Sequence, residues 1–230
     1  MKLGISIGNT NISIGYYENN KLITEQFLHE DYKKIAKYKF ENTKNILNSQ
    51  KAIIASVVPD ITEKVIQIFE NYTFITPSIK TTYKIAGIDR LLSCEIALKK
   101  YTPPLIVIDT GTAITINVIN KEGTFLGGSI LPGFQLSLNS LSNLSLLPNL
   151  KIEEESPPLI GTNTKEAMLS GVIHGIASCI KSMVSKIEKE IGNCKVLITG
   201  GGSKVLMKHI DIQVKYEENL LMEAILNLPA

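Results

Sequence analysis

Tryptophan is absent from this chain, and cysteine and histidine occur three times each. Cys94, Cys179 and Cys194 are odd in number and far apart, with no CxxC and no accompanying histidine pair. That pattern excludes a disulfide framework and a structural zinc site, and leaves reduced thiols as the expectation. Charge of one sign is also missing: 24 Lys and Arg stand against 22 Asp and Glu, a formal +2. Without a basic block, no nucleic-acid partner is expected. No apolar run reaches about 18 residues, the length of a bilayer span. Lys2 leads directly into a strand-like stretch, with no apolar core of a leader and no cleavage site. We therefore expect a cytoplasmic protein without a membrane partner. Two nucleotide signatures are absent as well. No GxGxxG follows the first strand and no GxxxxGK[ST] occurs, so neither a Rossmann site nor a P-loop is indicated.

What is present is apolar mass and repetition. Of the 230 residues 44% are hydrophobic, enough for one large domain or two small ones. The opening "LGISIGNTNISIGYY" is an apolar run, a Gly-Asn-Thr corner and an alternating apolar strand. "LIVIDTGTAITINVINKEGTFLGGSIL" repeats the plan from Leu105 to Leu131. Ser6 and Gly8 in the first copy are offset equally from Asp109 and Gly111 in the second. Ile12, Ile14 and Tyr16, like Ile114, Ile116 and Val118, alternate with the period of a half-buried strand. The turns Glu18-Asn19-Asn20 and Asn120-Lys121-Glu122-Gly123 suit hairpins.

After each three-stranded meander the pattern alternates helix and strand. In the first half we expect a helix over Ile35–Leu47, a strand over Lys51–Val58 ended by Pro59, and a helix capped by Asp60. In the second half we expect a helix over Phe134–Leu146 and a proline-bearing link from Pro148 to Pro158. A long helix with Asn163 and Glu166 as its capping pair should follow, then a strand entering Gly200-Gly201-Gly202-Ser203, and a last helix from Glu217 to Leu228. This is an α/β fold with a mixed sheet in each of two domains, 1–103 and 104–230, divided near Pro103-Pro104. A ligand is expected in the cleft between them.

A glycine corner at a hairpin lets backbone N–H groups approach a ligand, and Thr and Asn add donors. One such corner alone is equally well an ordinary turn. Three in one chain point to phosphate binding, with Asp109 placed to hold a metal ion. "GIDRLLSCEIAL", Gly87 to Leu98, has two readings. Asp89 and Arg90 are an ordinary helix start, or a carboxylate base beside a guanidinium that holds an anion. His174 lies among the small residues Ala167, Gly171 and Gly175 and reads as a packed polar residue.

Taken together, the motifs resemble type III pantothenate kinase, of the acetate and sugar kinase/actin superfamily. They are "SIGNT", Val57-Val58-Pro59, Gly87-Ile88-Asp89-Arg90, "DTGTA", Gly127-Gly128-Ser129-Ile130-Leu131-Pro132-Gly133, Ile160 to Gly171, and Thr199-Gly200-Gly201. The resemblance implies two RNase H-like domains, a homodimer, and ATP-dependent phosphorylation of pantothenate, the first step towards coenzyme A. It implies ATP binding by Ser6, Ile7, Gly8, Asn9, Thr10, Asn11, Ile12 and Ser13, with Thr112. Asp89 looks like the proton acceptor, and Gly87, Ile88, Asp89 and Arg90 like the substrate clamp. Tyr83 resembles a substrate-contacting tyrosine, and Thr164 the residue that reaches pantothenate across the dimer. Asp109 looks like the ligand of a monovalent cation, K⁺ or NH₄⁺, and Mg²⁺ accompanies ATP. The departure is Ser6, where the family has aspartate. It opens a second expectation, a non-catalytic accessory or regulatory protein of the same fold. A sugar kinase or exopolyphosphatase on this fold is disfavoured by the Ile160–Gly171 match.

Overall fold

The computed structural model describes residues 2–40, 51–144, 146–152 and 156–230. Its contacts divide the chain into two compact units. The first comprises 1–79, 84–100 and 219–230; the second comprises 80–83 and 101–218. A split at 103/104 follows the chain, but the units do not: the C-terminal segment returns to the first.

In the first unit, β1 (Lys2–Ile7), β2 (Asn11–Glu18) and β3 (Lys21–Leu28) pair antiparallel in sequence order. A 3₁₀ segment, His29–Ala36, and a single turn, α1 (Lys37–Phe40), follow. The Ile35–Leu47 expectation is thus met by tighter 3₁₀ geometry at its start, and its part from 41 onward lies outside the described residues. β4 (Lys51–Ser56) and β5 (Tyr72–Phe74) add parallel strands, giving the order β3-β2-β1-β4-β5. Between them α2 (Pro59–Ile66) begins with Pro at its first position and Val58 at the N-cap. Asp60 therefore sits inside the first turn, where its charge meets the helix dipole, and does not cap. α3 (Ile88–Lys100) and α7 (Leu220–Asn227) complete the unit.

Strand periodicity decides the faces. Leu3, Ile5, Ile7, Ile12 and Ile14 join one cluster with Ile35, Ile54, Val65 and Phe69. The opposite face carries Gly4 opposite Gly15. A β-carbon at Gly4 would stand 2.7 Å from Met222 Sδ, and one at Gly15 would stand 2.3 Å from Met222 Cγ. The two glycines thus form a dent that seats Met222 of α7. Glu217, expected in the last helix, precedes α7 and instead accepts a hydrogen bond from the Tyr101 hydroxyl within the second unit.

The second unit repeats the topology. β6 (Leu105–Thr110), β7 (Ala113–Ile119) and β8 (Phe125–Pro132) pair antiparallel. β9 (Lys195–Thr199) and β10 (Lys215–Tyr216) extend the sheet in parallel, giving the order β10-β9-β6-β7-β8. α4 (Phe134–Ser142), α5 (Thr164–Ile191) and α6 (Ser203–His209) cover it. α4 ends at Ser142, before the expected Leu146. α5 is long and apolar enough to cross a bilayer by length and composition. Here it is a core helix: Met168, Val172, Ile173, Ala177, Ile180 and Val184 pack with Ile106, Ile108 and Phe134. The opposite face of α5 is open, since a β-carbon at Gly171 or Gly175 meets no atom within 4 Å among the described residues. His174 is partly buried, its Nε2 donating to the Pro157 carbonyl (3.1 Å) and its ring edge-on to His209. Burial, and then the His174 charge, hold the His209 imidazole below the ordinary histidine range.

Candidate active site

The first corner grows out of the β1–β2 hairpin. Ser6 pairs with Ser13 across the antiparallel ladder and with Ala55 across the parallel one. Gly8 N–H donates to Asn11 C=O at 3.0 Å and closes the turn. Ile7 C=O accepts from Val57 N–H (3.0 Å), just past β4. Gly8 C=O accepts from His29 Nε2 (2.8 Å), just past β3. Asn9 and Thr10 are exposed at the tip. The corner is thus braced by the exits of two neighbouring strands, with its tip left to solvent.

In the same unit, Asp89 and Arg90 stand in the first turn of α3. Asp89 Oδ1 accepts the Arg90 backbone N–H (2.9 Å). A β-carbon at Gly87 would lie 2.6 Å from Asp89 Oδ1, so glycine there keeps the space that the carboxylate occupies. Arg90 is buried at 7% exposure. Burial pushes the Cys94 thiol, one turn on, well up, and the Arg90 charge opposes that rise. One element here had no sequence signal. Buried Glu95 accepts from Ser78 N–H (2.6 Å), Ser78 hydroxyl (2.6 Å) and Ile79 N–H (3.2 Å), tying the segment after β5 to α3.

In the second unit three glycine turns converge. Asp109 pairs with Thr199 because β6 and β9 run parallel. Thr110 Oγ1 donates to Thr199 C=O (2.7 Å), Ser203 Oγ donates to Gly200 C=O (2.6 Å), and Gly202 N–H donates to Thr110 C=O (2.8 Å). Gly200 has φ +92°. A β-carbon there would also stand 2.5 Å from Asp109 Oδ1, so conformation and space both require glycine. Gly133 N–H donates to Thr112 C=O (2.9 Å), and a β-carbon at Gly133 would lie within 2.5 Å of the Gly111 and Thr112 carbonyls. The motifs "DTGTA", "PGF" and "TGGGS" are therefore one knot of backbone around the Asp109 carboxylate.

The donors in this knot are hard oxygens: one carboxylate and several carbonyls. Among the described residues no group of three or more His, Cys, Asp or Glu converges. A divalent ion normally needs more carboxylate than this or phosphate oxygens of its own. Carboxylate and carbonyl oxygens suit hard cations, and a divalent ion here would need the oxygens of a phosphate ligand to complete its shell.

Thr164 is exposed at the first position of α5. The capping pair expected there is formed: Asn163 Oδ1 accepts Glu166 N–H (3.0 Å). Glu166 Oε2 reaches one residue further back than a capping box, accepting both N–H and hydroxyl of Thr162 at 2.8 Å. Those bonds hold the Glu166 carboxyl below the usual range. An open groove of about 530 Å³ lies beside this turn, lined by Leu141, Leu147, Gly161, Thr162, Thr164 and Met168 among others. Tyr83 belongs to the second unit, edge-on to Phe125 at 6.3 Å and against Gly127. The segment Lys84–Lys100, which carries Gly87–Arg90, belongs to the first.

A family model described as type III pantothenate kinase matches residues 2–186. A protein named type III pantothenate kinase from Sulfurihydrogenibium sp. (strain YO3AOP1) is 34% identical over 98% of each chain. One of the same name from Persephonella marina is 32% identical over 99% of this chain and 98% of its own. Among solved structures, one described as a conserved Baf family transcriptional activator from Campylobacter jejuni superposes with a TM-score of 0.66. It is 25% identical and covers 97% of this chain and 94% of its own. One described as a 2-dehydro-3-deoxygalactonokinase protein from Sinorhizobium meliloti, 10% identical with a TM-score of 0.60 over 98% of this chain and 97% of its own, shares the fold. Matched by the family model over most of its length and by kinases across nearly all of it, the chain belongs to the type III pantothenate kinase family.

Proposed function

We propose that this protein transfers the γ-phosphoryl group of ATP to the primary hydroxyl of pantothenate, yielding 4′-phosphopantothenate and ADP at the entry to coenzyme A synthesis. The observation that carries the reading is the family match, joined by the presence of Asp89, Asp109 and Thr164 at the matching motif positions. It disfavours the accessory reading that Ser6 opened.

Phosphoryl transfer asks for positioning and charge neutralisation more than covalent chemistry. In the proposed mechanism the Ser6–Ser13 corner binds the ATP phosphates, and Thr112 adds a further contact. The substrate hydroxyl oxygen attacks the γ-phosphorus, the bond to the ADP oxygen breaks, and the hydroxyl proton passes to the Asp89 carboxylate. Asp89 Oδ1 accepts the Arg90 backbone N–H, which leaves Oδ2 as the oxygen proposed to take that proton. Arg90, with Gly87, Ile88 and Tyr83, holds pantothenate, whose carboxylate calls for a guanidinium. Asp109 and its carbonyls would hold K⁺ or NH₄⁺, and Mg²⁺ would be held chiefly by the nucleotide; both supply positive charge against the phosphates.

A homodimer belongs to the same proposal, with Thr164 reaching the partner's pantothenate. Its support is the open Gly171–Gly175 face of α5 together with exposed Leu146, Leu159 and Ile160. A coupled assay with pantothenate, ATP and Mg²⁺ tests the whole reading. Turnover is expected in K⁺ or NH₄⁺ well above that in Na⁺. Absence of turnover in every salt would refute the kinase reading; equal rates in all three would refute the cation role of Asp109.

A further inference from the structure

We infer that His29 is a positioning residue that latches the first phosphate corner, an assignment that rests on the reading of Ser6–Ser13 as the ATP-binding turn. His29 follows β3, whose last residue Leu28 pairs with Asn11, the first residue of β2. The chain therefore leaves the sheet beside the corner, and His29 is the first side chain that can reach over it. Its Nε2 stands 2.8 Å from the Gly8 carbonyl. A carbonyl only accepts, so Nε2 carries the proton in this contact.

The bond has a directional consequence. A trans peptide is planar, and its C=O and N–H point to opposite sides. With Ile7 C=O taken by Val57 N–H on one flank and Gly8 C=O taken by His29 on the other, the Gly8–Asn9 peptide has one orientation. The Asn9 N–H then faces away from His29. Asn9 is exposed, and among the described residues no acceptor meets its N–H. Such a peptide can otherwise flip, because the flip changes ψ of Gly8 and φ of Asn9, and glycine lacks a β-carbon while asparagine enters positive φ more readily than most residues. The latch keeps the N–H presented to an anion. In a corner where Ser6 supplies no charge to help hold a metal, an oriented amide carries more of the task of aligning phosphate.

The test compares the natural protein with His29→Phe, which keeps a ring and loses the donor, and His29→Gln, whose amide nitrogen lies as many bonds from Cα as Nε2. His29→Phe should raise KM for ATP about tenfold, the factor expected for one lost hydrogen bond of about 1.4 kcal/mol. KM for pantothenate and the unfolding temperature should change little, and His29→Gln should recover most of the ATP affinity. Amide hydrogen exchange of the ligand-free protein supplies an arm that needs no activity. The Gly8 N–H should exchange faster in His29→Phe and at the natural rate in His29→Gln. Unchanged Gly8 exchange and an unchanged KM for ATP in His29→Phe would overturn the latch. If the natural protein has no turnover at all, the kinase reading falls, while the exchange rates still decide whether His29 orders the corner.

Discussion

Asp89 and Ser6 are the residues on which the proposed chemistry turns. Asp89 sits in a helix first turn, where a carboxylate is at home electrostatically, so its presence alone does not mark a base. The added fact is Gly87, which has no room for a side chain beside Asp89 Oδ1. Asn at 89 retains size and hydrogen bonding but cannot take the proton. Asp89→Asn should lower kcat by about a hundredfold or more, the usual reach of general-base catalysis, with an unchanged far-ultraviolet spectrum. Turnover near that of the natural protein would remove the assignment. Ser6 is half-buried and flanked by Ser13 and Ala55, so no neighbour in its registers restores the charge that aspartate would bring. One charge–charge interaction at a partly desolvated site is worth on the order of 1–4 kcal/mol. Ser6→Asp should therefore lower the Mg²⁺ concentration at half-maximal rate. A Mg²⁺ titration in which the two proteins coincide would show that this side chain never approaches the metal.

At the scale of elements, the contact between α7 and the first sheet is the most exacting. Gly4 and Gly15 face each other across the β1–β2 ladder, and Met222 fills the dent they leave. Gly15→Ala would force its β-carbon to within 2.3 Å of Met222 Cγ. Overpacking of this kind costs about 1–3 kcal/mol. Denaturant unfolding should show that loss, and adding Met222→Ala should cancel part of it, since contacting sites couple. A fully additive double mutant would mean that the loss arises elsewhere. The knot around Asp109 follows the same rule in the second unit. There Gly133 and Gly200 let two turns close on the Asp109–Thr112 turn, at distances that no β-carbon would allow.

For the whole molecule, the question is whether one chain makes a complete site. The duplicated sheet order gives each unit a corner at the same place, after its first strand. Thr164 lies on neither corner. It opens a helix whose first turns expose the small residues Ala167, Gly171 and Gly175. If that face meets a second copy, mixing Asp89→Asn subunits with Thr164→Ala subunits should restore activity in a fraction of sites. Both parents should be weak and both should elute as dimers. A monomer fully active at assay concentration would refute the shared site.

Local sequence was sufficient wherever a pattern and its partner lie close along the chain. The alternation in Ile12–Tyr16 and Ile114–Val118 determined strands with the right faces, and Asn163 with Glu166 determined the start of α5. The repeated spacing of Ser6-x-Gly8 and Asp109-x-Gly111, and the Gly-x-Asp-Arg run, singled out the corners and the α3 start. Tertiary structure decided what depends on distant segments meeting. Glu217 left the last helix for Tyr101, α7 crossed back to seat Met222 between two glycines, and Gly133 and Gly200–Ser203 joined Asp109–Thr112 in one knot. His29 came to the Gly8 carbonyl only because β3 ends beside the corner. Periodicity and capping are interactions within a few residues, so they are written in the chain. A carbonyl's partner across a sheet is set by strand register and the return path of the chain, which no short window of sequence contains.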